Sequence, residues 1–389
     1  MKFAERMGRL ATAASFETLA RARALEARGA NIVHLEIGEP DFATPRFIRQ
    51  AAADALEQGW THYGPAAGLP ELRAAIAARW SRERAIPCDA DGVVVTPGAK
   101  PILFFAMLAL LEEGDEVLLP DPGFPNYDSI ARFLNARPVA VPLRESNGFD
   151  IDVKELETRV SHRTRMLILN SPHNPTGAVL APATLEALAA LVVRHDLTVL
   201  ADEIYARMVY DGRHVSIASL PGMAERTVVV DGFSKTYAMT GWRLGFGIMD
   251  KTLAKKVATL MNNSNSCTAT FVQRAGLAAL EGPQDEIDGM LAEFRRRRDA
   301  LVAGLGRLAG VRCALPHGAF YAFPNITGTG IASTALADRL LDEAGVSCLS
   351  GASFGEHGEG YLRLSYANSL DNLGEAVRRI GEFLSVHSR

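Results

Sequence analysis

Short apolar runs rich in β-branched residues recur along the chain, separated by stretches whose apolar positions follow helical spacing. Val93–Thr96 (VVVT), Glu116–Pro120 (EVLLP), Met166–Asn170 (MLILN), Thr198–Glu203 (TVLADE) and Thr227–Gly232 (TVVVDG) read as strands, and intervening segments such as ATLEALAALVVRHD read as helices. Nearly continuous apolar strands alternating with helices predict an α/β fold, a mostly parallel sheet covered by helices on both faces. Beyond residue 284 the texture changes to a long charged helix (DEIDGMLAEFRRRRDALVAGLGRLAG), then FYAFPN, a helix ending near Ala344, the strand-like YLRLSY and a final helix. This predicts a large domain over 41–284, a smaller α+β domain over 285–389, and a helical segment, 1–40, packed with the smaller one. Without repeats, low-complexity tracts or a Pro/Ser-rich linker, the lobes are expected to pack closely.

Composition adds mainly exclusions. With 389 residues, 48% hydrophobic and 22% charged, the chain has the make-up of an ordinary globular protein. Lys+Arg 41 against Asp+Glu 45 gives a net charge of −4, so no global field favours nucleic acid or an anionic membrane, and anion binding has to be local. Cys88, Cys267, Cys313 and Cys348 lack Cys-x-x-Cys spacing, which argues against zinc and a disulfide framework and fits a reducing cytoplasm. The N-terminal stretch has no continuous apolar region and reads as one or two amphipathic helices rather than a signal peptide. PILFFAMLALL (Pro101–Leu111) is about half the roughly 20 residues that cross a bilayer, so a buried helix is expected. The run Arg295–Arg298, flanked by Glu293 and Asp299, reads as a solvated helix face.

Chemistry-bearing residues collect just after the predicted strands, where open α/β sheets gather ligands. After VVVT comes PGAK, with Ala99 and Lys100 at a helix start whose free amides suit a phosphate. After MLILN comes SPHNPTG, a rigid turn that presents Asn174. TVLADE ends on Asp202, with Tyr205 three residues on, and TVVVDG is followed by Lys235 and then Arg243. Each has a plain alternative: a simple turn, a helix cap with a core tyrosine, a surface charge. Together they match the needs of pyridoxal phosphate: an amine for a Schiff base, a carboxylate for the ring nitrogen, donors for the ring hydroxyl, and a cation with amides for the phosphate.

The stretch GFSKTYAMTGWRLG resembles the lysine-attachment motif of class I/II aminotransferases, pyridoxal-phosphate enzymes of fold type I. IGEPDFATP, THYGPAAGLPELR, TPGAK, SPHNPTG, ADEIY and YLRLSYA are similar, in order and spacing, to blocks of the bacterial aspartate-aminotransferase-like branch, from about residue 30 to the C-terminus. The resemblance implies that Lys235 is the Schiff-base lysine and the acid/base at Cα, that Asp202 pairs with the pyridine nitrogen, and that Tyr205 and Asn174 bond the ring hydroxyl oxygen. It implies phosphate contacts from Arg243, Ser234 and the backbone of Ala99 and Lys100, and a stacking role for Phe124 of DPGFPNY. Tyr63 aligns with a tyrosine that reaches the neighbouring subunit's phosphate, which implies a homodimer. Arg363 aligns with the arginine that grips the substrate α-carboxylate, with Asn174 and the backbone of Gly38 close to it. One position departs from the common Ser-x-Ser-Lys pattern: Gly232 stands where many relatives carry a serine.

The implied reaction is transamination in two half-reactions, from an L-amino acid to a 2-oxo acid, with aspartate-type or broad specificity. The segments SPHNP, HVSIASLPGMAERT and DRLLDEAGVSCLSG also resemble arginine:pyruvate-type relatives, which keeps a basic donor open. A Cβ-lyase could use the same residues, because the cofactor stabilises the carbanion whichever bond then breaks. A non-enzymatic protein on this fold is the remaining alternative.

Overall fold

The computed structural model describes residues 1–11 and 14–387. A short 3-10 turn, Glu5–Arg9, and a helix, Ala14–Glu26, precede β1 (Val33–His34). Seven strands then build one sheet: β2 (Val93–Thr96), β3 (Glu116–Asp121), β4 (Arg137–Pro142), β5 (Thr164–Asn170), β6 (Thr198–Asp202), β7 (Thr227–Gly232) and β8 (Gly245–Ile248). Their order across the sheet is β2-β8-β7-β6-β5-β3-β4. β8 runs antiparallel to both neighbours, and the other pairings are parallel.

The period of two along each strand divides the apolar residues between the two faces. Val93 and Val95 join Leu72, Ile76, Trp80 and Val272, whereas Val94 joins Ile102, Leu103, Val257 and Met261 on the opposite face. Leu167 and Leu169 pack with Leu188 and Val192, and Met166 and Ile168 face the other way. Burying such an aliphatic side chain contributes about 1.5–3 kcal/mol, so a sheet covered on both sides is the stable outcome of these runs. All of PILFFAMLALL but its last residue, Leu111, lies in a largely buried helix, Lys100–Leu110, as its apolarity predicts.

Two strands of this seven-stranded sheet escape the sequence pattern. β4 carries Pro138 and Pro142 and pairs on one side with β3; an edge strand tolerates residues without an N–H. β8 is GFGI, where glycine hides the strand signal but answers a close approach. A Cβ at Gly245 would stand 2.3 Å from the Ala99 nitrogen, and one at Gly247 would stand 2.7 Å from Ile102 Cγ2.

The C-terminal part begins with a 21-residue helix, Asp285–Leu305. It holds β9 (Tyr321–Ala322), β10 (Val346–Ser347), β11 (Leu349–Ser350) and β12 (Leu362–Ser365), and ends in helix Leu370–His387. β11, β12 and β9 form an antiparallel sheet. β10 pairs in parallel with β1, Val33 opposite Val346, so the N-terminal segment is stitched to the C-terminal part. Phe294, Leu301, Phe320, Leu340 and Ile380 form its apolar core, which Tyr205 and Met208 join from the large sheet's side.

The arginine run is only half a solvated face. Arg295 and Arg296 are exposed, but Arg297 and Arg298 are buried. Four successive residues wrap around a helix, so two of them turn inward. Arg297 pairs with Asp41 at 2.6 Å and lies over Phe42, and Arg298 pairs with Asp211 at 3.0 Å and lies over Tyr210. Among the described residues no helix is long and apolar enough to cross a membrane.

Candidate active site

β5 and β6 run side by side with Asn170 in register with Asp202, and β7 ends beside them. Their C-terminal ends therefore deliver Asn170, Asp202 and the segment leading to Lys235 to one edge of the sheet. Asp202 is buried and accepts hydrogen bonds from the Tyr127 hydroxyl at 2.7 Å and the Ile204 N–H at 3.2 Å. Burial drives its carboxyl up to about 6 against the pull of those donors, with Asp231 and Glu203 adding repulsion. Behind it, Arg84 bridges Glu203 at 3.0 Å and Asp231 at 2.8 Å. Glu203 also meets His214 at 3.0 Å and the Ser216 hydroxyl at 2.5 Å. Burial opposes its ionisation, but His214, Arg84 and Ser216 outweigh this and hold Glu203 down at about 2.

The partly buried Lys235 donates from Nζ to the Gly38 carbonyl oxygen at 2.5 Å. Desolvation lowers its amine to about 8; Glu39 works against that shift, and Arg363, Lys100 and Arg243 work with it. Gly38 admits no side chain, because a Cβ there would fall 2.0 Å from the Tyr321 hydroxyl. Arg363, buried on β12, donates to the Glu36 carbonyl oxygen and, at 3.3 Å, to Asn174 Oδ1. Its guanidinium lies over the rings of Tyr321, at 4.6 Å, and Phe354, at 5.1 Å, and its Nε has no partner. Asn174 is steadied by Asn170, whose Oδ1 accepts the Asn174 N–H at 2.8 Å and whose Nδ2 donates to the Asp202 carbonyl at 3.0 Å. The Tyr205 and Tyr321 hydroxyls are 2.7 Å apart.

A second group surrounds the turn before helix Lys100–Leu110. Ala99 caps this helix without a side-chain hydrogen bond. Arg243 lies across the turn, since a Cβ at Gly98 would stand 2.1 Å from its Nη2. Its Nη1 donates to the Thr240 carbonyl at 2.8 Å. Lys100 is lowered by desolvation and by Arg243 and lies 5.5 Å over the ring of Phe124, which packs edge-on against Tyr127. Ser234 is buried beside Lys235. A Cβ at Gly232 would stand 3.0 Å from Gly245 Cα and 3.1 Å from the Leu244 oxygen, so β7 and β8 run close together at this position. A cavity of about 660 Å³ opens beside Arg243, between Trp242, Phe42 and Thr268.

Hydrogen bonds and close contacts thus link Lys235, Gly38, Arg363, Asn174, Asp202 and Tyr205, with Arg243, Ala99, Lys100, Phe124 and Ser234 along the adjoining turns. Tyr63 stands apart and is 88% exposed. Three contributors went unread in the sequence: Tyr127, three residues after Phe124 in DPGFPNY; Asn170, the last residue of MLILN; and Tyr321 in FYAFPN. The donor set fits pyridoxal phosphate. It combines an amine freed of its proton near pH 8, a buried carboxyl with raised proton affinity for a ring nitrogen, and a guanidinium over an uncapped helix start for a phosphate.

A sequence profile described as aminotransferase class I and II matches residues 30–380. The chain belongs to this family. The aminotransferase is 42% identical over 358 residues to an aspartate aminotransferase of Pyrococcus abyssi, covering 91% of this chain and 92% of that one. It is also 42% identical over 368 residues to an arginine–pyruvate transaminase of Pseudomonas aeruginosa, covering 95% and 94%. The solved aspartate aminotransferase of Thermus thermophilus with maleate superposes with a TM-score of 0.94 at 37% identity, over 98% of this chain and 99% of that one. The fold is that of the fold-type I enzymes, and the aminotransferase is pyridoxal-phosphate dependent, as its family is.

Proposed function

We propose that this aminotransferase takes the amino group of an acidic or broadly varied L-amino acid and passes it to a 2-oxo acid, using the cluster around Lys235. One observation carries the reading. The Lys235 amine reaches the Gly38 carbonyl while the Arg363 guanidinium reaches the Glu36 carbonyl two residues earlier, so an amine and a carboxylate grip converge on one short segment, as an α-amino acid requires.

Pyridoxal phosphate, when bound, supplies a carbonyl partner for amines and an electron sink for bonds at Cα. Lys235 anchors it and moves the Cα proton, its low amine pKa leaving a lone pair available near neutrality. Asp202 holds the proton at the ring nitrogen. Tyr205 and Asn174 donate to the ring hydroxyl oxygen, Phe124 stacks on the ring, and Arg243, Ser234 and the amides of Ala99 and Lys100 hold the phosphate. Arg363 takes the α-carboxylate through its planar fork, with the Gly38 backbone beside it. Carboxylate binding there draws the smaller domain, 285–389 with segment 1–40, onto the larger, 41–284, and excludes water. The exposed Tyr63 serves the phosphate site of a second copy in a homodimer, and the protein works in the cytoplasm.

The likeness to aspartate aminotransferases supports an acidic donor, and the equal identity to the arginine–pyruvate transaminase supports a second reading with a basic donor. Spectroscopy separates them. The visible band of the cofactor-loaded protein should fade with the preferred amino acid and return with a 2-oxo acid, and initial-rate lines should be parallel. Release of pyruvate and ammonia without any acceptor would indicate a Cβ-lyase instead. Wild-type turnover by Lys235→Ala would overturn the assignment.

A further inference from the structure

We propose that Tyr321 is a positioning residue that links the Tyr205 hydroxyl to the Arg363 guanidinium, so that hydrogen bonding to the cofactor's ring oxygen and capture of the substrate carboxylate are set together. The inference rests on the roles given above to Tyr205 and Arg363.

Tyr321 begins β9, which pairs with β12, the strand that carries Arg363. Its ring is 1% exposed and offers its face to the Arg363 guanidinium at 4.6 Å, a cation–π contact away from water. Its hydroxyl points the other way, across the boundary between the lobes, to the Tyr205 hydroxyl at 2.7 Å. The same oxygen sits against Gly38, where even a methyl group would collide with it. One phenol therefore touches the proposed ring-oxygen donor, the proposed carboxylate grip, and the backbone that accepts from Lys235. The two aromatic rings meet edge to face at 5.6 Å, which fixes the hydroxyl direction.

Proton counting gives the link its direction. Each phenol has one proton, so only one of the pair donates to the other. Burial raises both phenols above their ordinary range, and neither ionises at working pH. When Tyr205 gives its proton to the ring oxygen, the hydrogen bond between the two phenols has Tyr321 as its donor. The chain then runs from Tyr321 to Tyr205 to the ring oxygen, and each bond polarises the next. The titratable and charged groups that act on the pair are Arg363 from the smaller lobe and Asp202 and Tyr127 from the larger, while Glu36 and Cys348 act on Arg363 in turn. Because Tyr321 shares a sheet with Arg363, any shift of that sheet as a carboxylate arrives also moves the hydroxyl that Tyr205 depends on.

The test is a pH titration of the visible band of the holoenzyme, without substrate and with succinate as an unreactive carboxylate. Tyr321→Phe keeps the ring over Arg363 and removes the donor. Its midpoint should rise by about 0.3–1 pH unit, the size of one net hydrogen bond, and less than in Tyr205→Phe, with succinate affinity within about twofold of wild type. Tyr321→Leu should raise the midpoint and also weaken succinate by about 2- to 30-fold, the worth of a desolvated cation–π contact. Gly38→Ala, which forces the Tyr321 hydroxyl and the backbone that accepts from Lys235 apart, should raise the midpoint too. A wild-type midpoint in Tyr321→Phe and Gly38→Ala, beside a shifted one in Tyr205→Phe, would overturn the link alone. A wild-type midpoint in Tyr205→Phe would remove the role of Tyr205 and the link with it.

Discussion

The Tyr127 hydroxyl lies 2.7 Å from Asp202 Oδ2, joining the helix after β3 to the end of β6 across 75 residues of sequence. It aims the carboxylate and also stabilises its charged form. Tyr127→Phe should therefore destabilise the protein by about 1 kcal/mol, measured by urea unfolding, and lower kcat by less than about tenfold. Asp202→Asn should lower kcat/KM by about 10²- to 10⁴-fold, because a neutral amide cannot hold a proton at the ring nitrogen.

The raised carboxyl of Asp202 makes the cofactor-free protein pH-sensitive in a defined direction. The folded chain binds this proton more tightly than the unfolded chain does, so the contribution is complete below the ordinary value of 3.8 and is lost as pH rises to about 6. The stability of wild type relative to Asp202→Asn should fall by about 3 kcal/mol across that window and stay level above it. Urea unfolding of both cofactor-free proteins at half-unit pH steps measures this. A rise with pH in the stability of wild type relative to Asp202→Asn would reverse the sign of the argument.

Lys235 reacts only as the free amine. With its value lowered to about 8, the rate of pyridoxal phosphate loading, followed by growth of the visible band, should climb through pH 7, reach half its maximum near pH 8 and level off above about 9. A half-maximum near the ordinary lysine value would mean that burial does not act on this amine as described.

Arg363→Lys keeps a positive charge but loses the planar fork. It should raise KM for the amino donor and lower kcat/KM by about 10- to 150-fold, the range of a hydrogen bond to a charged group. The visible spectrum without substrate should stay close to wild type.

The buried set behind Asp202 yields a stability prediction. Arg84 faces both Glu203 and Asp231, so Arg84→Met leaves Glu203 with His214 and Ser216 and leaves Asp231 with the Gly232 N–H. A loss of about 3–5 kcal/mol is expected, as for other broken buried pairs, measured by urea unfolding. Arg82→Met, on the exposed side of the same helix, serves as the near-neutral control.

What could be read in the sequence follows from how locally each signal is written. Lys235, Asp202 and Asn174 sit within a few residues of apolar strands, where run, turn and side chain form one contiguous pattern. Tyr127 and Tyr321 act on partners 75 and 116 residues away, and nothing beside them says which carboxylate or phenol they will meet. By burial both are core aromatics. β4 and β8 were hidden for a related reason. Proline at a sheet edge and glycine under a crossing helix depress local strand character while serving the tertiary arrangement. The arginine run shows the converse: four like residues in sequence become two surface and two interior groups once helical geometry and the rings of Phe42 and Tyr210 are in place.

The guanidinium of Arg363 already has tenants, the Glu36 carbonyl and the Asn174 side chain. An incoming carboxylate that takes Nε, which has no partner, together with one terminal nitrogen displaces a neutral oxygen of the protein itself, so capture is partly a substitution. A ligand with two coplanar charged oxygens wins that exchange, and an ester or primary amide, presenting one neutral oxygen, merely matches what is displaced. The resident contacts thus set a threshold that screens free amino acids from their blocked derivatives before any proton moves.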